Sequence, residues 1–341
     1  MTRVACLLFA SCLTSSCYLT KQGYRQVGLL ISREPIEEVL REDKISQSER
    51  KKLELTNNVL SFARAQGLDV GSSYKDYVPL ERSALSYTVQ AARPTELKLK
   101  TWWFPIVGSV PYLGFFDQVD RDAEAKKLLD DGYEVHQGAA TAFSSLGWFS
   151  DPVYSSMLRR SDAELASLYF HELTHRTVWL RDGVEFNENL AEFVADELTE
   201  DFFAELKREG ELEELRQGKT DDVLFRVWLT KLRKDLEENL NSTKNMPADR
   251  RVSEKNKIIS LALLAKPKFK RFDIMGLAPW NNARILAASL YSPETENFVR
   301  AAKCFWGKEQ GANMGRFLKA LEKSAEKTSN GFESLELMCA R

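Results

Sequence analysis

The sequence predicts an α+β protein, with a strand-rich N-terminal lobe over residues 17–160 followed by a mostly helical lobe over residues 161–341. Between about Ser83 and Phe149, short runs rich in Thr, Val and aromatic residues are punctuated by Pro and Gly, the pattern of short strands. From Ser161 onward, apolar residues recur at three- and four-residue spacing, the period of amphipathic helices. Runs of strands followed by runs of helices are the α+β pattern. With 43% hydrophobic and 29% charged residues, the 341-residue chain has an ordinary globular balance and not that of a disordered one.

Ahead of these lobes, residues 1–16 read as a leader and not as fold. Arg3 is followed by a mostly apolar run from Val4 to Leu13. That is about half the ~20 residues needed to span a bilayer, and it suits the core of a signal peptide. Leu13-Thr-Ser-Ser-Cys17 resembles a bacterial lipobox, whose Cys becomes the lipidated first residue, although Leu13 stands one position early. A plain secretory signal that leaves Cys17 as a thiol is the alternative, and Cys12 ends a shorter rival run. The preferred reading lipidates Cys17 and tethers the protein to the bacterial cell envelope, as a periplasmic or outer-membrane lipoprotein. Removing residues 1–16, with Arg3 as their only charge, leaves 325 residues and moves the net charge from -2 to -3. The longest later apolar stretch, Ile258 to Ala265, is far too short to span, so membrane contact is expected through the anchor alone.

In chain order, Ser46 to Gln66 sets Leu55, Val59 and Phe62 at helical spacing, with Gly67 as a stop. Ala84 to Ala92 and Glu96 to Phe104 read as strands, and aromatic, turn-punctuated segments continue to Phe116. Gln118 to Asp131 reads as a short helix, and Gly138 to Phe143 as another strand. Helices are expected over 161–180, 185–208, 221–241, 253–264, 281–291, 293–306 and 313–327, with an exposed loop from Asn241 to Arg251. Cys304 and Cys339 are compatible with a disulfide in an oxidising compartment, but their separation is not legible and two thiols make no disulfide framework.

The chemistry concentrates on the three histidines. His171-Glu172-Leu173-Thr174-His175 is H-E-x-x-H, and only a helix brings its two imidazoles to one face where a single Zn²⁺ meets both. Ser161-Asp-Ala-Glu164 supplies a capping box for that helix. Leu168, His171, His175 and Val178 fall on one stripe, so the histidines take core positions, where unpaired burial is costly and a metal removes the cost. Glu172, next to a ligand, is the expected general base toward the attacking water.

A catalytic zinc takes three protein ligands and keeps one position open. Glu188 lies thirteen residues after His175, on a face with Ala191, Ala195, Leu198 and Phe202, and is the preferred third ligand over Glu185 and Glu192. Glu192, one turn on, suits the role of orienting His171 or His175 through the second ring nitrogen. His136 reads as structural more readily than as a ligand. A donor for the developing oxyanion is also required, and Tyr291 is the candidate, with helix packing as its plainer reading. The strand ending at Thr141-Ala-Phe-Ser-Ser suits either edge pairing with an extended peptide or ordinary sheet.

Asn187-Glu188-x-x-Ala191 after H-E-x-x-H looks like the gluzincin arrangement. More narrowly, the chain from Cys17 onward resembles a bacterial family of lipoproteins known as putative aminopeptidases. The resemblance rests on Cys17-Tyr18, Arg33-x-Pro35-Ile36, Ser73-Tyr-x-x-Tyr77, Phe104-Pro-Ile-Val-Gly108, Ser145-Leu-Gly-Trp-Phe, the zinc motif with Phe186-Asn-Glu188, and Asn281-Asn-Ala with Tyr291. It implies a zincin-like fold and peptidase activity. The Gly-x-Met-Glu-Asn segment with which large zinc aminopeptidases bind a free amine is absent: Gly311-Ala-Asn-Met-Gly315 departs from it and lies after the zinc motif.

The expected function is therefore a tethered zinc metallopeptidase of aminopeptidase type, acting on peptides or proteins. An envelope binding or scaffold lipoprotein with a relic metal helix, and a zinc amidase of peptidoglycan stem peptides, are the alternatives. A nucleic-acid partner is not expected, because 48 Lys+Arg against 50 Asp+Glu leaves no basic footprint.

Overall fold

A computed structural model describes residues 32–42, 45–80, 82, 84–104, 108–140, 150–181, 183–270, 276, 279–290, 295–308, 313–328 and 330–340. Cys17, Tyr291 and the segment 141–149 lie outside these residues.

The first half of the chain runs β1 (Glu34–Pro35), α1 (Ile36–Arg41), α2 (Gln47–Ala65), β2 (Asp76–Val78), β3 (Ser86–Ala92), β4 (Trp102–Phe104), β5 (Gly108–Val110), β6 (Leu113–Phe115), α3 (Gln118–Asp130), β7 (Glu134–Ala140) and β8 (Val153–Tyr154). Then come α4 (Asp162–Thr177), α5 (Val184–Glu205), α6 (Glu209–Ser242), α7 (Ala248–Leu264), α8 (Asn282–Leu290), α9 (Glu296–Lys308), α10 (Met314–Ala325) and α11 (Gly331–Ala340). The protein is mixed α+β with small sheets. No helix among the described residues is long and apolar enough to cross a membrane.

The chain forms two compact units, one of Glu34–Pro79, Phe143–Lys219 and Pro293–Arg341, the other of Met1–Arg33, Leu80–Ala142 and Thr220–Ser292.

The first unit holds the histidine motif. Its small sheet has the order β1-β2-β8, antiparallel at Glu34↔Tyr77 and parallel at Tyr77↔Val153. Its helices bury a core of aromatic rings, Tyr169, Phe170, Phe193, Phe203, Phe298 and Phe317 among them. Phe62 of α2 meets Phe170 and Phe202 edge-on at 5.9 and 5.4 Å, a geometry that aligns positive ring edges with negative faces. The end of α2 and the start of α10 touch backbone to backbone: Gly315 N–H donates to the Gln66 carbonyl at 2.7 Å, and a Cβ on Gly315 would lie 2.7 Å from the Gly67 Cα. Cys304 of α9 and Cys339 of α11 form a disulfide.

In the second unit, β6, β3 and β7 make an antiparallel sheet. With α3 it buries Val89, Ala91, Leu113, Phe115, Ala125 and Leu128. A further cluster gathers Trp228, Leu232 and Leu236 of α6, Ile259 of α7 and Ile285 of α8. Lys255, fully buried, is ion-paired with Glu134, whose other oxygen accepts the Asn282 N–H at 2.8 Å and so caps α8. Burial of that ammonium requires such a partner.

Several element boundaries differ from the sequence reading. The strand expected over Glu96–Phe104 survives only as β4, with one isolated bridge at Leu99. The Asn282 side chain donates to the carbonyls of Arg93, Pro94 and Glu96 at 2.9–3.1 Å, occupying acceptors that a ladder would use. The strand placed at Gly138 begins at Glu134, where it pairs with Ala92. Helix α6 starts at Glu209 instead of 221, despite Gly210 and Gly218. Its first turns are tied to the head of α4: Arg208 bridges Asp162 and Glu211, and Ser161 donates to Glu214. The loop expected over 241–251 shrinks to the turn between Ser242 and Ala248, and α1 and α11 were not anticipated.

Candidate metal centre

Helix α4 begins as its sequence dictates. Ser161 Oγ accepts from the Glu164 N–H at 3.1 Å while Glu164 Oε2 accepts from the Ser161 N–H at 3.1 Å, a reciprocal cap on two orphan donors. Ala163, Leu165, Ala166, Tyr169, Phe170 and Leu173 are buried and fix the rotation of the helix about its axis. His175 is then buried, and His171 lies at the margin with 21% of its side chain exposed.

The helix ends at Thr177, three residues before the expected end at 180, and Val178 is extended. The Asn187 side chain clamps the connection between α4 and α5, accepting from the Leu180 N–H at 2.9 Å and donating to the Leu180 carbonyl at 2.7 Å. Fully buried, it sets how α5 leaves α4 and brings the next residue, Glu188, back over the histidines.

Three donor groups converge there. His171 Nε2 and His175 Nε2 are 3.2 Å apart, and each is 3.5 Å from an oxygen of the Glu188 carboxylate. His171, His175 and Glu188 are the described residues that group as possible metal ligands. The Glu188 side chain is 42% exposed, so the cluster is open on that side. Glu185, an alternative ligand in the sequence, is exposed. Glu192 faces the other edge of the first imidazole, with Oε2 3.5 Å from His171 Nδ1.

The electrostatics distinguish the two imidazoles. Burial works against a charged His171, but the Glu188 and Glu192 carboxylates beside it and the charge of Glu172 outweigh burial and raise its pKa to about 10. Burial, then the His171 charge, lowers His175 to about 4 against the pull of Glu188. Burial raises Glu188, yet the two imidazoles prevail and hold it below the ordinary carboxylate value. His175 Nδ1 is buried without a hydrogen-bond partner, and the ring is steadied by Trp179, edge-on at 5.4 Å.

These donors fit a zinc ion. Zn–N bonds of ~2.0–2.1 Å in a tetrahedron separate ligand atoms by about 3.3 Å, close to the 3.2–3.5 Å spacings seen here. Imidazole and carboxylate are the N/O donor set of catalytic zinc, and three of them leave a fourth position vacant.

The family model described as "Putative aminopeptidase" matches residues 17–332, nearly the whole chain. The chain belongs to that family. Neither a curated protein nor a solved structure matches it.

In this member of the family, the sequence expectation brought together His171, His175, Glu188 and Glu192, and the fold sets all four on two successive helices. Glu172, half-buried, follows His171 on α4. His136 lies in the other unit, on β7 opposite Gln90, with its pKa lowered to about 4 by burial and then by the Arg284 charge. The roles expected of Tyr291 and Cys17 fall outside the described residues. Sequence reasoning missed Trp179 and the clamp made by Asn187. Trp179 stands four residues after His175, the spacing of helical neighbours, and that was its one available signal.

Proposed function

We propose that the chain is a zinc-dependent metallopeptidase in which His171, His175 and Glu188 hold the metal and Glu172 moves the proton. The convergence of two imidazole nitrogens and one carboxylate within 3.5 Å of one another, open on the Glu188 side, carries this reading. Zinc, when bound, supplies Lewis acidity and makes water a nucleophile near neutral pH. Glu172 accepts the proton from the attacking water as its oxygen bonds to the peptide carbonyl carbon, then delivers that proton to the departing amine nitrogen as the C–N bond breaks. Glu192 fixes the ring orientation of His171 through Nδ1, the edge it faces at 3.5 Å.

The family description supports peptide substrates. The Cys304–Cys339 disulfide, together with the apolar leader ending at Cys17, supports an oxidising cell-envelope location and a lipid anchor. The test is digestion of a broad peptide library by the full chain, with and without a chelator. Cleavage that the chelator abolishes and zinc restores is the expected result. Removal of single N-terminal residues would assign aminopeptidase specificity, and internal cuts would assign an endopeptidase. A library left intact by the zinc-loaded protein would overturn the reading.

A further inference from the structure

Helix α5 carries Glu188 near its start, and that start is held from outside the helix. It opens on Gly183, which has no side chain with which to cap the free N–H groups. Asn187 fixes the connection to α4. Phe186 is 2% exposed and packs against Phe298 of α9, with ring centres 5.1 Å apart, and against Phe332 of α11, edge-on at 5.2 Å. Phe332 also meets Phe298 at 6.1 Å, so the three rings close on one another. Phe186 and Glu188 are two residues apart, about 200° around a helix of 3.6 residues per turn. The Phe186 ring therefore bears on the back of the turn that presents Glu188 to the histidines.

Gly331, the first residue of α11, makes the fit tighter still. Its backbone rests on the Phe186 ring, and a Cβ there would lie 2.6 Å from the ring Cγ. Carbon atoms in contact stand about 3.5–4.0 Å apart. A larger residue would thus displace the ring or α11 by about 1 Å, several times the ~0.2 Å to which metal–ligand distances hold.

Helix α11 is itself fastened at both ends. Asn330 Oδ1 accepts from the Phe332 N–H at 3.0 Å and starts the helix beside Phe186. About 12 Å further along, at 1.5 Å per residue, Cys339 is joined to Cys304 of α9, and Leu335 and Met338 are buried in between. The disulfide and the Phe298–Phe332 contact thus hold α11 to α9 at two points behind α5. We propose that α9 and α11, locked together by the disulfide, form a brace that positions Glu188 for metal binding through Phe186. This rests on the metallopeptidase reading given above. A disulfide that only restricted the unfolded chain would leave the folded site unchanged.

Two full-length variants test the brace. Gly331→Ala keeps the disulfide, and Cys304→Ser/Cys339→Ser removes it without adding thiols that would bind zinc themselves. In metal-free protein, hydrogen exchange over residues 185–190 is expected to quicken in both variants, while residues 165–170 of α4 keep the wild-type rate. Zinc affinity, from chelator competition, is expected to fall about 10- to 100-fold in both, the usual effect of losing a group that orients a ligand. In a Glu188→Ala background neither change should lower it further, because the effect runs through that carboxylate. If the serine variant does not fold, Gly331→Ala carries every readout. Wild-type zinc affinity in Gly331→Ala, or an equal loss with and without Glu188, overturns the brace. Faster exchange over 185–190, in a protein whose wild type takes up no zinc, would uphold the packing of α11 on α5 and sink the metallopeptidase reading instead.

Discussion

His171 Nε2 and His175 Nε2 face each other at 3.2 Å, and Glu188 stands 3.5 Å from both. Two imidazole nitrogens and a carboxylate at this spacing could be bridged by a single metal ion.

Removing the carboxylate should therefore weaken zinc most among single acidic replacements. Glu192→Gln is expected to lower zinc affinity about 10- to 100-fold, the usual effect of losing a group that orients a ligand histidine. Glu188→Ala should lower it further. Competition titration with a chromogenic chelator ranks the two, and an unchanged affinity for Glu188→Ala would move the third ligand elsewhere.

Glu172→Gln keeps the size of the side chain and removes its basicity. We expect it to bind zinc as the wild type does and to lose about 10²- to 10⁴-fold in kcat, the range contributed by a positioned general base. Steady-state kinetics beside metal analysis checks both halves, and full activity in this variant would exclude Glu172 as the proton carrier.

The clamp between Asn187 and Leu180 joins the two ligand helices through 2.7 and 2.9 Å hydrogen bonds. In Asn187→Ala the Leu180 N–H loses its acceptor while the Leu180 C=O keeps the Gly183 N–H at 3.3 Å, at an expected cost of about 1–3 kcal/mol for the group left unpaired. Urea unfolding measures this, and zinc affinity should fall with it because Glu188 is the next residue. Asn187→Asp retains the acceptor for the Leu180 N–H and should lie between Ala and the wild type.

The helix that presents the histidines was legible because its determinants are local. Its cap spans Ser161 to Glu164, and the i, i+4 histidines lie within one turn. The neighbouring α5 was legible for the same reason, as an apolar face interrupted by Glu188. The features that were not legible depend on distant partners. The strand expected at Glu96 is lost to Asn282, 186 positions away, and the approach of Tyr74 to α4 depends on a left-handed backbone at a tyrosine, which no propensity signals. Asn187 stood in view beside Glu188, but its role requires knowing that the chain turns back at Leu180.

His136 gives a pH-dependent signature in the other unit. Its folded pKa of about 4 lies below the ordinary 6.5, so between these values the unfolded chain binds the extra proton. Its contribution to stability is therefore complete above about pH 6.5 and is lost as pH falls toward 4. Urea unfolding from pH 4 to 7 should show a steeper rise of stability with pH for the wild type than for His136→Gln. Parallel curves would mean that His136 titrates normally in the folded protein.

The central claim is that one zinc ion is held by His171, His175 and Glu188. Metal analysis of the purified full chain, after equilibration with zinc and removal of the excess, tests it most directly. One zinc per chain in the wild type, and none retained by His175→Ala under the same conditions, is the predicted result; a metal-free wild type, or a His175→Ala variant that keeps its zinc, would contradict it.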